Sequence, residues 1–158
     1  MVNCLPKNHA ALFIFGDSLF DNGNNNYLNT SALDFNANYP PYGETFFKYP
    51  SGRFSDGRMI PDLVAEHANL PLLPPYLHPG HPEYFYGVNF ASGGAGALRE
   101  TALGSVVDLK TQVSFLKNVK NIFKQKLGDA EAEELVSKSV YLISIGGNDY
   151  GDGFASSG

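Results

Sequence analysis

Residues 11–27, ALFIFGDSLFDNGNNNY, decide the fold. Ala11, Leu12, Phe13, Ile14 and Phe15 form an unbroken apolar run, a Gly16-Asp17-Ser18 turn follows at once, and a polar stretch rich in Asn closes the segment. A short continuous apolar run bounded by turn residues fits a strand covered on both faces, the kind found in parallel sheets. Residues 139–149, SVYLISIGGND, repeat the pattern and end in glycines and a polar residue. Between them VNFAS, residues 88–92, reads as a shorter strand with GGAGAL after it.

Helical signals fill the gaps. In PDLVAEHAN, residues 61–69, Pro61 suits a first helical turn, Leu63, Val64, His67 and Ala68 share a face, and Asn69-Leu70-Pro71 ends the run. A longer helix is expected from about Asp108 to Leu127, with Gly128 as its stop and Leu109, Val113, Leu116 and Phe123 on its apolar side. A brief acidic helix, DAEAEELVSK, follows. Residues 22–56 and 71–87, rich in Asn, Pro, Gly and Tyr, read as surface loops. Strand, helix, strand, helix, strand is the rhythm of an α/β fold with a parallel sheet. In such sheets sites lie beyond the carboxyl ends of the strands. Three turns stand there: Gly16-Asp17-Ser18, Ser92-Gly93-Gly94 and Gly146-Gly147-Asn148.

Composition narrows the class. The 158 residues suffice for one domain, and 43% hydrophobic with 17% charged residues is ordinary for a globular chain. A formal charge of −5 argues against nucleic acid and anionic membrane surfaces as partners. The lysines at 110, 117, 120, 124 and 126 read as one solvated helix face. No apolar run approaches the ~18 residues of a membrane span. ALFIF falls short of the roughly 7–15 residue apolar region of a signal peptide, and no cleavage site follows it. Cys4 is the single cysteine, and Asn29-Thr30-Ser31 is a glycosylation sequon.

A serine hydroxyl needs a base to accept its proton, and the oxyanion formed by its attack needs donors already in place. A Ser turn, a Gly turn and an Asn turn at one sheet edge have the makings of both nucleophile and oxyanion hole. Glycine after a strand is also common turn chemistry. A dinucleotide site is disfavoured, because GGAGAL lacks the third glycine of G-x-G-x-x-G.

FIFGDSLFDNGNN, GVNFASGGAGAL and ISIGGND resemble, in order and spacing, the first three sequence blocks of the GDSL esterase/lipase family of SGNH hydrolases. Residues 50–77 look specifically like its plant branch. The resemblance implies a three-layer α/β sandwich on a parallel flavodoxin-like sheet, incomplete here, and hydrolysis of carboxylic esters, among them acyl lipids. It implies Ser18 as nucleophile and as one oxyanion donor through its N–H, Gly94 as a second N–H donor with Gly93 adjacent, and Asn148 as a side-chain donor. It implies no metal or cofactor, and it implies secretion. Asp17, Asp21, Asn22, the asparagines at 24–26 and Asp149 read as turn-shaping or structural residues.

In that family the general base is a histidine in a late D-x-x-H block, and no D-x-x-H occurs in this chain. Of the four histidines, His9 precedes the first strand, His67 ends a helix, and His78 and His81 lead towards the second strand. All four are expected near the amino ends of the strands, away from Ser18. Residues 1–158 are therefore expected to form a single N-terminal part of such a domain, with the D-x-x-H block outside it. Alone, that part is expected to be a very poor esterase with exposed apolar surface. The alternative is a catalytically inactive binding protein on the same fold. Nothing in the sequence sets the ester or the oligomeric state.

Overall fold

The computed structural model describes residues 10–29, 35–80 and 83–155. The expectations for Cys4, His9 and His81 lie outside them. So do Thr30 and Ser31 of the sequon, although Asn29 itself is exposed. The element order is β1 (Leu12–Gly16), α1 (Ile60–His67), β2 (Gly87–Asn89), α2 (Leu109–Leu127), α3 (Asp129–Lys138), β3 (Val140–Ser144) and α4 (Gly147–Ala155), with a 3-10 turn at Asn24–Tyr27.

The three strands form one parallel sheet in the order β2-β1-β3. Leu12 stands opposite Gly87 on one side and Val140 on the other. Alternate side chains of β1 go to opposite faces, and both faces are covered. Phe13 and Phe15 join Val119 and Phe123 of α2 and Ala132 and Leu135 of α3, while Leu12 and Ile14 meet Ala65 of α1 with Phe20, Leu73 and Ala91. Helices on both faces give the expected three layers. From β1 the chain steps to one side to make β2 and then crosses to the other side to make β3. The sequence order therefore reverses at β1, and the crevice beyond its carboxyl end is where open α/β sheets bind ligands.

Helix α2 matches its expected bounds because its caps are local. The Asp108 carboxylate accepts from Thr111 N–H at 2.6 Å, and Gly128 takes up φ 90° at the other end. Lys120 and Lys124 of its polar face pair with Glu133 of α3, and Lys126 pairs with Glu83.

Three expectations need correction. Val113 is exposed, and Gln112 with Val119 and Phe123 forms the buried stripe of α2. In α1, Leu63, His67 and Ala68 are exposed while Pro61, Asp62 and Ala65 are buried. The cause is Arg53, whose guanidinium grips Asp62 through two 2.8 Å hydrogen bonds and turns that side inward. Finally, among the described residues β3 is not covered on both faces: it stands at the edge of the sheet, with Val140 54% and Ile143 60% exposed.

Candidate active site

The turn after β1 is built by backbone fit. Gly16 has φ 150°, and a Cβ there would stand 2.2 Å from the carbonyl oxygen of Ser144, so only glycine lets β3 approach so closely. Asp17 N–H donates to Ser144 O at 3.2 Å, and Asp17 O accepts from the N–H groups of Phe20 and Asp21. The Asp17 side chain accepts from Leu19 N–H at 3.0 Å, which closes the turn locally. This is the turn-shaping role expected of it. Ser18, inside this turn, is partly exposed. Among the described residues its hydroxyl makes no hydrogen bond.

The flanking turns come from the two neighbouring strands. On the β2 side Ser92 N–H donates to Gly16 O at 3.0 Å, which extends the ladder into Ser92-Gly93-Gly94. Gly93 N–H is committed to Asp21 Oδ2 at 2.9 Å. Gly94 N–H makes no hydrogen bond among the described residues, so of the two adjacent glycines it is the one with a donor to offer. Gly94 holds φ 85°, and a Cβ there would fall 2.3 Å from the Phe35 ring.

On the β3 side Asn148 sits in the first turn of α4. Its Nδ2 donates to Ala95 O at 2.9 Å, which ties that helix to the loop after Gly94 and leaves one amide proton. The neighbouring Asp149 carboxylate accepts from the Thr101 hydroxyl at 2.6 Å and from the N–H groups of Leu98 and Ala97. The Thr101 hydrogen bond first, and then the two N–H groups, hold its carboxyl below the usual carboxylate range. Asp149 is structural, as expected.

The polar run after Ser18 is not a surface segment. Asp21, Asn22, Asn24 and Asn25 are buried and bind the ends of the strands together. Asn24 Nδ2 donates to Asn89 O and Ala91 O, and Asn89 Nδ2 donates back to Phe20 O. Asn25 Nδ2 donates to Gly93 O at 2.8 Å, while its Oδ1 accepts from the Ser92 hydroxyl, which itself accepts from Val107 N–H. Burial pushes the Asp21 carboxyl from its ordinary 3.8 up to about 6, against the lowering effect of N–H donors from Gly93, Gly23, Asn24 and Asn25.

Gln112 is a further residue that the sequence reading passed over. Fully buried on α2, it accepts from Gly16 N–H at 3.0 Å and donates to Gly16 O at 2.9 Å and Val107 O at 3.0 Å. A signal was present, because Gln112 shares the helical stripe of Leu116, Val119 and Phe123, and a polar side chain on a core stripe needs a partner.

Neither described histidine, His67 or His78, makes a hydrogen bond to Ser18. The N-terminal end of α1 is anchored near the Ser18 side through Arg53, which bonds both Asp62 and Asn22 O, so His67 at the far end leads away. His78 departs from expectation. Pro75 pairs in parallel with Asn89 on the outer edge of β2, and the His78 ring lies edge-on to Tyr27 at 5.2 Å. It therefore lies on the carboxyl side of the sheet, beside the 3-10 turn that follows the serine turn, and makes no hydrogen bond to Ser18. Among the described residues no group of three or more His, Cys, Asp or Glu could hold a metal ion, and no helix is long and apolar enough to cross a membrane.

A family profile described as GDSL-like lipase/acylhydrolase matches residues 12–158. GDSL esterase/lipase 5 of Arabidopsis thaliana is 58% identical over 145 residues, covering 91% of this chain and 37% of that protein. GDSL esterase/lipase 1 of the same plant is 53% identical over 156 residues, covering 94% and 41%. GDSL lipase of Tanacetum cinerariifolium is 51% identical over 148 residues, covering 93% and 40%. The chain thus spans about two fifths of the length of these curated relatives. No solved structure gives a significant match. With its serine turn on the central strand between a glycine turn and an asparagine turn, the chain belongs to the GDSL-like lipase/acylhydrolase family.

Proposed function

We propose that these residues supply the nucleophile and oxyanion hole of a serine esterase acting on carboxylic esters, including acyl lipids. The observation that carries the reading is the arrangement of the sheet: Ser18 follows the central strand, with Gly94 beyond one neighbour and Asn148 beyond the other. The Ser18 oxygen attacks the ester carbonyl. The oxygen that gains charge is held by Ser18 N–H, Gly94 N–H and the Asn148 amide proton not given to Ala95. The alcohol leaves, and water releases the acyl group from Ser18.

A base must take the serine proton, and none of the described histidines is placed to do so. We assign that role to a D-x-x-H block outside these 158 residues, residues 1–158 being the N-terminal part of the catalytic domain. Loss of the base in a triad enzyme costs on the order of 10⁴–10⁶ in turnover. The plant relatives' names, esterase/lipase and lipase, favour lipid esters, and secretion is what the family resemblance implies.

The test is turnover of p-nitrophenyl esters and labelling by a fluorophosphonate in the complete gene product. Ser18→Ala abolishes both, and unchanged turnover removes Ser18 from the mechanism. The missing contact between any described histidine and Ser18 favours a second reading, a binding protein that keeps the fold without the chemistry. A folded complete gene product that binds ester analogues and neither turns over ester nor takes the label supports it.

A further inference from the structure

Asp21 is fully buried, and among the described residues no charged side chain contributes to its surroundings. Its Oδ1 accepts from Gly23 N–H at 2.8 Å and Asn24 N–H at 2.7 Å, which is ordinary turn chemistry that a neutral Asn or Ser performs equally well. Its Oδ2 does something else: it reaches across 72 residues of chain to Gly93 N–H at 2.9 Å. Only a carboxylate presents acceptors in both directions, since an Asn would turn its NH₂ against one set of donors. Keeping that group charged without a cation is unfavourable, as its upward shift to about 6 records.

Asn25 holds the other side of the same residue, donating to Gly93 O at 2.8 Å. The carbonyl of Gly93 and the N–H of Gly94 belong to one planar trans peptide, so they point in opposite directions. Fixing the carbonyl fixes the donor. Gly93 lacks a side chain that could steady it, and a Cβ there would strike the Phe54 ring at 2.4 Å. The orientation of the next N–H therefore depends on the two side chains that grip Gly93.

We infer that Asp21 and Asn25 are positioning residues for ester hydrolysis, a two-point clamp on Gly93 that aims the Gly94 N–H at the developing oxyanion. This rests on the esterase reading above. Neither residue touches the substrate. Each acts through the Gly93–Gly94 peptide, and their effect belongs in the transition state rather than in substrate binding.

The test is steady-state kinetics of the complete gene product with p-nitrophenyl esters, comparing Asp21→Asn and Asn25→Asp, both nearly isosteric. Each should lower kcat by about 10- to 100-fold, short of or comparable to deleting an oxyanion donor, with KM within about twofold. The double variant should lose less than the product of the two. Unchanged kcat, or a loss confined to KM, overturns the clamp. Should either variant fail to fold, amide NMR of the unmodified protein decides. The Gly93 amide proton should titrate with Asp21 near pH 6 and the Gly94 amide should follow it, and a flat Gly93 response overturns the proposal. A complete gene product with no ester turnover sinks the esterase reading and this role with it, and is told apart because Gly93 still titrates.

Discussion

The Gln112 carboxamide closes both hydrogen-bonding groups of Gly16, accepting from its N–H at 3.0 Å and donating to its carbonyl at 2.9 Å. Ser92 N–H also donates to Gly16 O at 3.0 Å, but among the described residues no backbone carbonyl accepts from Gly16 N–H, and the helix side chain substitutes for it. Gln112→Leu removes that substitute and strands a buried N–H together with the Val107 carbonyl. A loss of about 2–3 kcal/mol in folding stability is expected, read from urea denaturation. A loss below about 0.5 kcal/mol would mean that Gly16 does not depend on it.

Asp21 imposes a pH dependence on stability. Its folded value of about 6 lies above the ordinary 3.8, so its contribution is fully present below pH 4 and is lost as pH rises through 6. The shift corresponds to about 3 kcal/mol, and Asp21→Asn carries no such titration. Denaturation at pH 4 and pH 7 should show the stability difference between the unmodified protein and the variant moving by that amount towards the variant at pH 7. A difference that is the same at both values would place the carboxyl elsewhere.

Two glycines should respond in opposite directions to a methyl group. Gly16→Ala puts a Cβ 2.2 Å from Ser144 O at a positive φ, so β3 must move or the chain must unfold, and a loss above about 3 kcal/mol is expected. Gly151, within α4, has nothing within 4 Å of an added Cβ. Gly151→Ala should stabilise by about 0.5–1 kcal/mol through helix propensity. Thermal melts of both variants check the pair.

Arg53 and Asp62 form a buried pair with side chains 9% and 3% exposed. Arg53→Ala leaves the Asp62 carboxylate without its partner and releases Asn22 O, at an expected cost of about 3–5 kcal/mol. Replacing both partners by apolar residues should cost less than the single change. A double variant at least as unstable as Arg53→Ala would show that the pair does more than satisfy itself.

Much of the fold was legible because its signals are local. The apolar runs gave β1 and β3 their positions, and Asp108 and Gly128 bounded α2 because each cap acts within one turn. What was not legible depends on distant partners. Asp62 looks like a surface residue of α1 until Arg53 reaches it, and Asn24 and Asn25 look like turn formers until their amides meet Asn89, Ala91 and Gly93. Helix α4 carries three glycines in nine residues, a composition that argues for a tail rather than a helix. Of the site, Ser18, Gly94 and Asn148 could be picked out as turn residues. Gln112 and the Gly93 clamp required knowing which strands adjoin.

The same wide spacing governs how the site comes into being during folding. Its defining bonds join residues 96, 72 and 53 positions apart. Helix α2 can nucleate from its own caps, but these long closures must wait until the sheet has drawn three remote segments together. In refolding, helical ellipticity should therefore return before the serine turn acquires its neighbours, which makes reactivity at Ser18 a late-arriving reporter that the whole sheet has assembled.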